Sequence, residues 1–362
     1  MQPAANHQHS ADVLAHIARM YDPRHREYAC NAETPEEFAR WQERARPALR
    51  ELLGLTRMER ELRKHCPLIE LGEAEELDGF TRRLGTIEAE PDWKVEFWML
   101  CPDGDGPFPL AVMPHGHEAR GHDTYAGVHG GDARRIQRIN ELDADVAVQA
   151  ARRGFLALAV NTRGFEANTI PDLNQRHDGH DCHSELIHAL LAGRTAIGER
   201  LWDLERVIDW AVAQPEVDGE RVLMMGNSGG GMATSYAAAC DTRVTIAVPS
   251  CSFATFVGEN GLAHHCDCNT VPGIYRFGEF SDVAGLIAPR HQLIVNGSED
   301  ALFPQGEVQR AVEGVRAIYE AAGAPDRFEH RWGPEGHRFY ADLMWPWVED
   351  ALSGSDGGAE CP

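Results

Sequence analysis

Lysine is almost missing from this chain. Lys64 and Lys94 are the two it has, and arginine carries the rest of its basic side-chain charge. Acidic residues outnumber Lys and Arg by 57 to 34, giving a formal net charge of −23. Such a surface repels phosphate backbones and anionic lipid, which excludes nucleic acid and charged membranes as expected partners. The simplest source of the imbalance is a compositional bias of the genome, not a specialised function. Long apolar runs are missing too: no stretch reaches the length of a membrane span. The opening residues, MQPAANHQHSADVLAHIARMYD, have no basic start, apolar run or small-residue cleavage site. The expectation is therefore a cytoplasmic protein. Nine cysteines, an odd number at irregular spacing, then read as reduced thiols and not as a disulfide framework. Neither the paired C-x2-C and H-x3-H layout of a zinc finger nor an H-E-x-x-H occurs. No internal repeat is evident.

What is present fits a sizeable core. The chain has 362 residues and is 43% hydrophobic, enough for one large domain with a small appendage. Residues 1–65 read as a helical arm packed on the main body. Within it Thr34 is placed to cap a helix, Pro35 suits the first helical position and Glu37 completes a capping box. Phe38, Trp41, Leu49, Leu52 and Leu53 form an apolar stripe, and Gly54 offers a stop. Pro47 should kink or divide this helix.

Residues 66–350 read as the main domain. TRRLGTIEAEP and WKVEFWMLCP look like a leading antiparallel hairpin. Short buried runs follow: PLAVMPHG, FLALAVNTRG, RVLMMGNSGG, VTIAVPSC and HQLIVNGSED. Amphipathic stretches such as GERLWDLERVIDWAVAQ and GEVQRAVEGVRAIYEAAG separate them. Apolar strands alternating with helices mean an α/β fold, a mostly parallel central sheet flanked by helices. Residues 351–362 read as a flexible tail.

In such sheets chemistry gathers at the C-terminal ends of the strands. Gly226-Asn227-Ser228-Gly229-Gly230 fits G-x-S-x-G, a sharp strand-to-helix turn that exposes a serine hydroxyl. A serine nucleophile needs a base, and the base an orienting carboxylate, here in the chain order serine, acid, histidine. Asp300 sits in the loop after the LIV strand, with Glu299 as the competing acid. His337 follows in the GPEGHRFY loop; His330, its rival, falls within a strand-like run. The oxyanion hole then draws one N–H from Gly229 and a second from an earlier loop, where MPHGH offers that of His117.

These pieces resemble α/β-hydrolases of the dienelactone-hydrolase and acetyl-xylan-esterase-like group. The matching segments are PHGH, NTRGF, GRTAIGERLWDLERVIDW, PEVDGERVLMMGNSGGGMAT, HHCDCNTVPGIYRFGEFSDVAGLIAPRHQLIVNGSEDALFP and GHRF, in family order. The arm resembles the N-terminal extension of the acetyl-xylan-esterase-like members. The resemblance implies a serine hydrolase with Ser228, Asp300 and His337 as its triad. Asn161 departs from the pattern, standing where an Asp commonly precedes the Arg-Gly pair, which puts a local salt bridge in doubt. Arg163, Trp202 and Asp203 are read as a supporting scaffold.

Two loops are rich in ligand-type residues without ligand spacing: His177, His180, Cys182 and His183, then His264, His265, Cys266 and Cys268. They read as polar loops at the mouth of the site, so no metal or cofactor is expected. The aromatic residues Trp332, Phe339, Tyr340 and Trp345 read as core. The resulting expectation is an esterase for short acyl groups on small polar alcohols, acetylated sugars first among them. A prolyl-oligopeptidase-type serine peptidase is the enzyme alternative, though an arm of this length cannot form the propeller it needs. A non-catalytic or metal-binding protein on the same scaffold is the third reading. Oligomeric state is not legible.

Overall fold

The computed structural model describes residues 15–16, 19–165, 181–258, 261–262 and 266–355. Its strands are β1 (Ile69–Leu71), β2 (Glu75–Leu77), β3 (Phe80–Glu90), β4 (Trp93–Pro102), β5 (Phe108–Pro114), β6 (Leu156–Val160), β7 (Val217–Asn227), β8 (Ile246–Ser250), β9 (Val257–Gly258), β10 (Gly261–Leu262), β11 (His291–Gly297) and β12 (Phe328–Gly333). Apart from the small β9–β10 pair, they form one sheet of order β1-β3-β4-β6-β5-β7-β8-β11-β12, with β2 also on β3. From β6 to β12 neighbours run parallel. The β3–β4 hairpin joins antiparallel through β4 and β6. The five apolar runs picked out in the sequence become β5, β6, β7, β8 and β11.

The parallel strands are apolar along their length because helices cover both faces. One core cluster takes Leu110, Val112, Leu158, Val222 and Met224 with the helices Ala196–Ala211 and Gly229–Cys240. On the other face Ala111, Met113, Leu223, Met225 and Val295 pack against Phe339, Met344 and Trp345. Phe339, Tyr340 and Trp345 are therefore core, and Trp332 packs half-buried against it.

The arm helix, Pro35–Leu53, is seated in the same core through Phe38, Trp41, Ala45, Leu49 and Leu53. Polar contacts add to this: Arg46 donates to the carbonyls of Ala239 and Leu286, and Arg50 pairs with Glu205. Thr34 caps the helix as expected, accepting from Glu37 N–H. The Glu37 carboxylate, however, accepts from Glu33 N–H, one residue before the cap. Pro47 does not divide the helix. Both Pro47 and Glu43, whose carbonyl loses its partner there, are exposed, so water can take that bond. The break comes at Gly54, whose φ of 87° only glycine adopts freely. The C-terminal helix runs Ala341–Ser355, into the segment expected as a tail; residues 356–362 lie outside the described part.

Candidate active site

β7 ends at Asn227 and the helix Gly229–Cys240 starts two residues later, leaving Ser228 at the corner with φ 58° and ψ −123°. That conformation is costly for a residue with a side chain and persists only where packing imposes it. The glycines explain how it is imposed. A Cβ on Gly226 would lie 2.6 Å from the Pro114 carbonyl oxygen, and one on Gly230 would lie 2.1 Å from it. A Cβ on Gly231 would lie 2.3 Å from Ser252 Oγ. The helix start is thus pressed against the end of β5 and the loop after β8. Ser228 N–H donates to the Ser250 carbonyl at 2.9 Å, and Asn227 N–H donates to the Tyr125 hydroxyl at 3.3 Å.

Asp300 and His337 arrive from the loops after β11 and β12. Asp300 is buried, and its Oδ2 accepts from His337 Nδ1–H at 2.7 Å. Its Oδ1 accepts from Leu302 N–H at 3.0 Å, so both carboxylate oxygens are held. This bond places the His337 proton on Nδ1 and leaves Nε2 as the basic nitrogen. Phe303 stacks on the imidazole at 6.3 Å between centroids. Glu299, the competing acid, is exposed, and its backbone N–H is tied to the Glu335 carbonyl. His330 lies on β12, where burial pushes its pKa down to about 4; it remains a neutral strand residue.

Cys251, at the end of β8, is a neighbour the sequence did not disclose. Its sulfur lies within 4.8 Å of the facing atoms of Asp300 and His337. It donates to the Arg338 carbonyl at 3.3 Å, and burial pushes its pKa up to about 11, so it is a poor nucleophile.

The loop after β5 closes over the serine. A Cβ on Gly116 would meet the Asn227 carbonyl oxygen at 2.8 Å and the Gly229 nitrogen at 3.1 Å, so only glycine lets the loop approach this near. His115 anchors it. It is fully buried, and burial pulls its pKa down to about 3. The neutral ring donates from Nδ1 to the Gly116 carbonyl at 2.7 Å and accepts at Nε2 from Thr162 N–H at 3.0 Å. Asn161 Oδ1 also lies 3.0 Å from Nε2. A neutral amide beside a neutral imidazole accounts for the absence of an Asp there: a carboxylate would force a charge into a buried pair.

Arg163 and Asp203 form the scaffold expected of them. Both are buried, with Arg163 Nη2 at 2.5 Å and Nε at 2.9 Å from the Asp203 carboxylate. Arg163 also reaches Glu90 at 2.9 Å, and Trp202 Nε1–H donates to the Ala89 carbonyl at 2.9 Å. None of them lines the cavity that holds the serine.

That cavity measures about 590 Å³. Gly116, His117, Ser228, Gly229 and His337 line it, so the expected nucleophile, base and oxyanion donors face one space. Glu118, Arg138, His183, Asp267 and Asn269 give it polar walls, and Met232, Leu302 and Phe303 an apolar side. Of the two ligand-rich loops, Cys182, His183, Cys266 and Cys268 are placed beside it. His177, His180, His264 and His265 lie outside the described residues.

The fold has counterparts among solved structures. A provisionally named acetyl xylan esterase from Bacteroides fragilis superposes with a TM-score of 0.73 at 18% identity, covering 96% of this chain and 97% of that one. The methylesterase BT1017 gives 0.68 at 20% identity, over 95% of this chain and 68% of that one. A glucuronoyl esterase from Solibacter usitatus gives 0.61 at 18% identity, over 86% and 93%. The chain has the α/β-hydrolase fold. In sequence, a provisionally named Bacillus subtilis hydrolase, YtaP, is 28% identical over 151 residues. That match spans 41% of this chain and half of the relative's length. No family model matches.

Proposed function

We propose that this chain is a serine hydrolase that cleaves short-chain carboxylic esters of small polar alcohols, sugars in particular, through an acyl-enzyme. One observation carries the reading. Ser228 sits in a strained corner on the wall of the same cavity as His337, whose ring is oriented by the buried Asp300.

The chemistry follows from that geometry. His337 Nε2 takes the Ser228 proton as Oγ attacks the ester carbonyl. The Gly229 and His117 N–H groups receive the oxyanion, aided by the start of the helix Gly229–Cys240. The imidazolium, stabilised by ionised Asp300, then gives its proton to the leaving alcohol. Water repeats the sequence on the acyl-enzyme and frees Ser228.

The cavity walls favour a polar substrate. A space of about 590 Å³ with several polar and charged side chains suits a sugar or similar polyol. A long acyl chain would need a continuous apolar channel. Structures named acetyl xylan esterase and glucuronoyl esterase among the similar ones support the same class. A fluorophosphonate probe should label Ser228 in a single modification. A panel of acetylated sugars should then yield free acetate with at least one member. An unlabelled protein, or labelling that survives Ser228→Ala, would overturn the reading.

A further inference from the structure

The side chains of His117, Cys182, Cys266 and Cys268 converge on one point beside the cavity. Their ligand-type atoms all lie within 4.8 Å of one another. His117 Nε2 is 3.3 Å from Cys268 Sγ, and Cys182 Sγ is 3.8 Å from Cys266 Sγ. We infer that these four residues hold one zinc ion as a tetrahedral Cys3His site.

The distances discriminate. Zinc bonds of about 2.3 Å to sulfur and about 2.0–2.1 Å to nitrogen, set at tetrahedral angles, separate two sulfurs by about 3.8 Å and sulfur from nitrogen by about 3.5 Å. The Cys182–Cys266 and His117–Cys268 pairs lie close to this spacing, and the remaining pairs stay within 4.8 Å. A disulfide between Cys182 and Cys266 would require about 2.05 Å and would leave Cys268 and His117 without a shared role. The ligand set is also selective: three thiolates and an imidazole favour zinc over the hard, oxygen-seeking divalent cations.

The surroundings suit the charge. Zinc with three thiolates carries one net negative charge, the three thiol protons passing to solvent on binding. Arg200 is fully buried next to this cluster, its Nε donating to the Arg163 carbonyl at 3.0 Å. It also donates to Asn269 Oδ1 at 3.1 Å and covers the Phe165 ring at 4.7 Å. Phe165 in turn packs on the His117 ring at 4.4 Å and joins Cys182 and Cys268 in a small apolar cluster. Cys182 and Cys268 are buried and Cys266 is half-buried, with His117 at the exposed edge. A buried cation and an apolar shell on one side, with an open edge for entry on the other, are what such a site needs.

Three segments meet there: the loop after β5 through His117, the helix Asp181–Leu191 through Cys182, and the turn Asp267–Asn269 with its flanking Cys266. Four protein ligands leave no open position, so the ion acts as a clamp and not as a Lewis acid. Its consequence rests on the serine-hydrolase reading: His117 is a positioning residue, its ring anchored by zinc so that its backbone N–H stays aimed at the oxyanion. From the sequence no metal is expected; the ligands come together only in the fold.

The full chain, purified with a mild reductant and no chelator, is assayed for metal by mass spectrometry. The expected result is one zinc per chain, lost in Cys182→Ser and Cys268→Ser. Exchange for Co(II) in the unaltered chain should produce sulfur-to-metal charge transfer and the intense visible bands of a tetrahedral thiolate site. That spectrum needs no variant and decides the matter if the serine variants fold poorly. Chelation should lower kcat on p-nitrophenyl acetate at least about tenfold with KM little changed, the signature of a displaced oxyanion donor. A chain that takes up neither zinc nor Co(II) after reduction, or a Cys182–Cys266 disulfide in the reduced preparation, would overturn the site. Metal content is read without turnover, so a zinc-loaded chain lacking esterase activity would count against the ester reading and not against the metal.

Discussion

Asp300 Oδ2 and His337 Nδ1 lie 2.7 Å apart, joining loops from two neighbouring parallel strands. The bond sets the tautomer on which any base catalysis by His337 depends. Asp300→Asn replaces an obligate acceptor by a group that can donate, and the wrong tautomer follows. The expected loss in kcat is about ten-thousand-fold. Glu299→Gln, at the adjacent exposed position, should leave kcat within about twofold. Steady-state kinetics on one ester distinguishes the two; equal losses would mean that the orienting acid is misassigned.

Gly230 and Gly306 should respond in opposite directions to alanine. At Gly230 the new methyl would meet the Pro114 carbonyl at 2.1 Å, backbone that cannot yield without moving β5. Gly230→Ala should destabilise by at least about 1–3 kcal/mol and distort the serine corner. Gly306 lies near the start of the helix Gln305–Ala321, where an added methyl would have nothing within 4 Å. Gly306→Ala should stabilise by about 0.5–1 kcal/mol. Denaturant titration reads both.

The pair Arg163–Asp203 is buried on both sides, 5% and 3% exposed, so neither charge can turn to water when the other is removed. Arg163→Ala should cost about 3–5 kcal/mol of stability. The folded fraction should keep a nearly normal KM, because neither residue lines the cavity. Chemical denaturation alongside kinetics below the unfolding transition checks both halves.

His330 should make stability depend on pH. Its folded pKa, about 4, lies below the unfolded value near 6.5 because burial disfavours the charged ring. The neutral form is therefore favoured in the fold. Its contribution is fully present above about pH 6.5 and is lost as pH falls from there through 4. His330→Phe should flatten the fall of the melting temperature between pH 6.5 and 4 relative to the parent chain. An unchanged slope would mean that other groups carry the effect.

These contrasts mark where sequence was sufficient. Ser228 was legible because its corner has a local signature: a buried strand, glycines at positions with no room for a Cβ, then a helix. Asp300 and His337 were legible by chain order, but the choice between Asp300 and Glu299 waited on which side chain the β11 loop buries. Pro47 does not divide its helix because that outcome depends on whether water can reach the freed carbonyl, which is a matter of exposure. Cys182 and Cys266 are 84 residues apart, and His117 and Cys268 are 151 apart. No spacing rule links them, since β5, the helix Asp181–Leu191 and the turn after β10 meet only through the sheet order. Cys251 was missed for the same reason, following β8 beside residues from the loops after β11 and β12.

The most direct test of the central claim is the initial rate on p-nitrophenyl acetate, butyrate and octanoate, for the parent chain beside Ser228→Ala. Acetate should be the fastest of the three, and the variant should lose on the order of ten-thousand-fold or more in kcat. Rates that survive the substitution unchanged would contradict the claim, placing the hydrolytic centre somewhere other than the corner after β7.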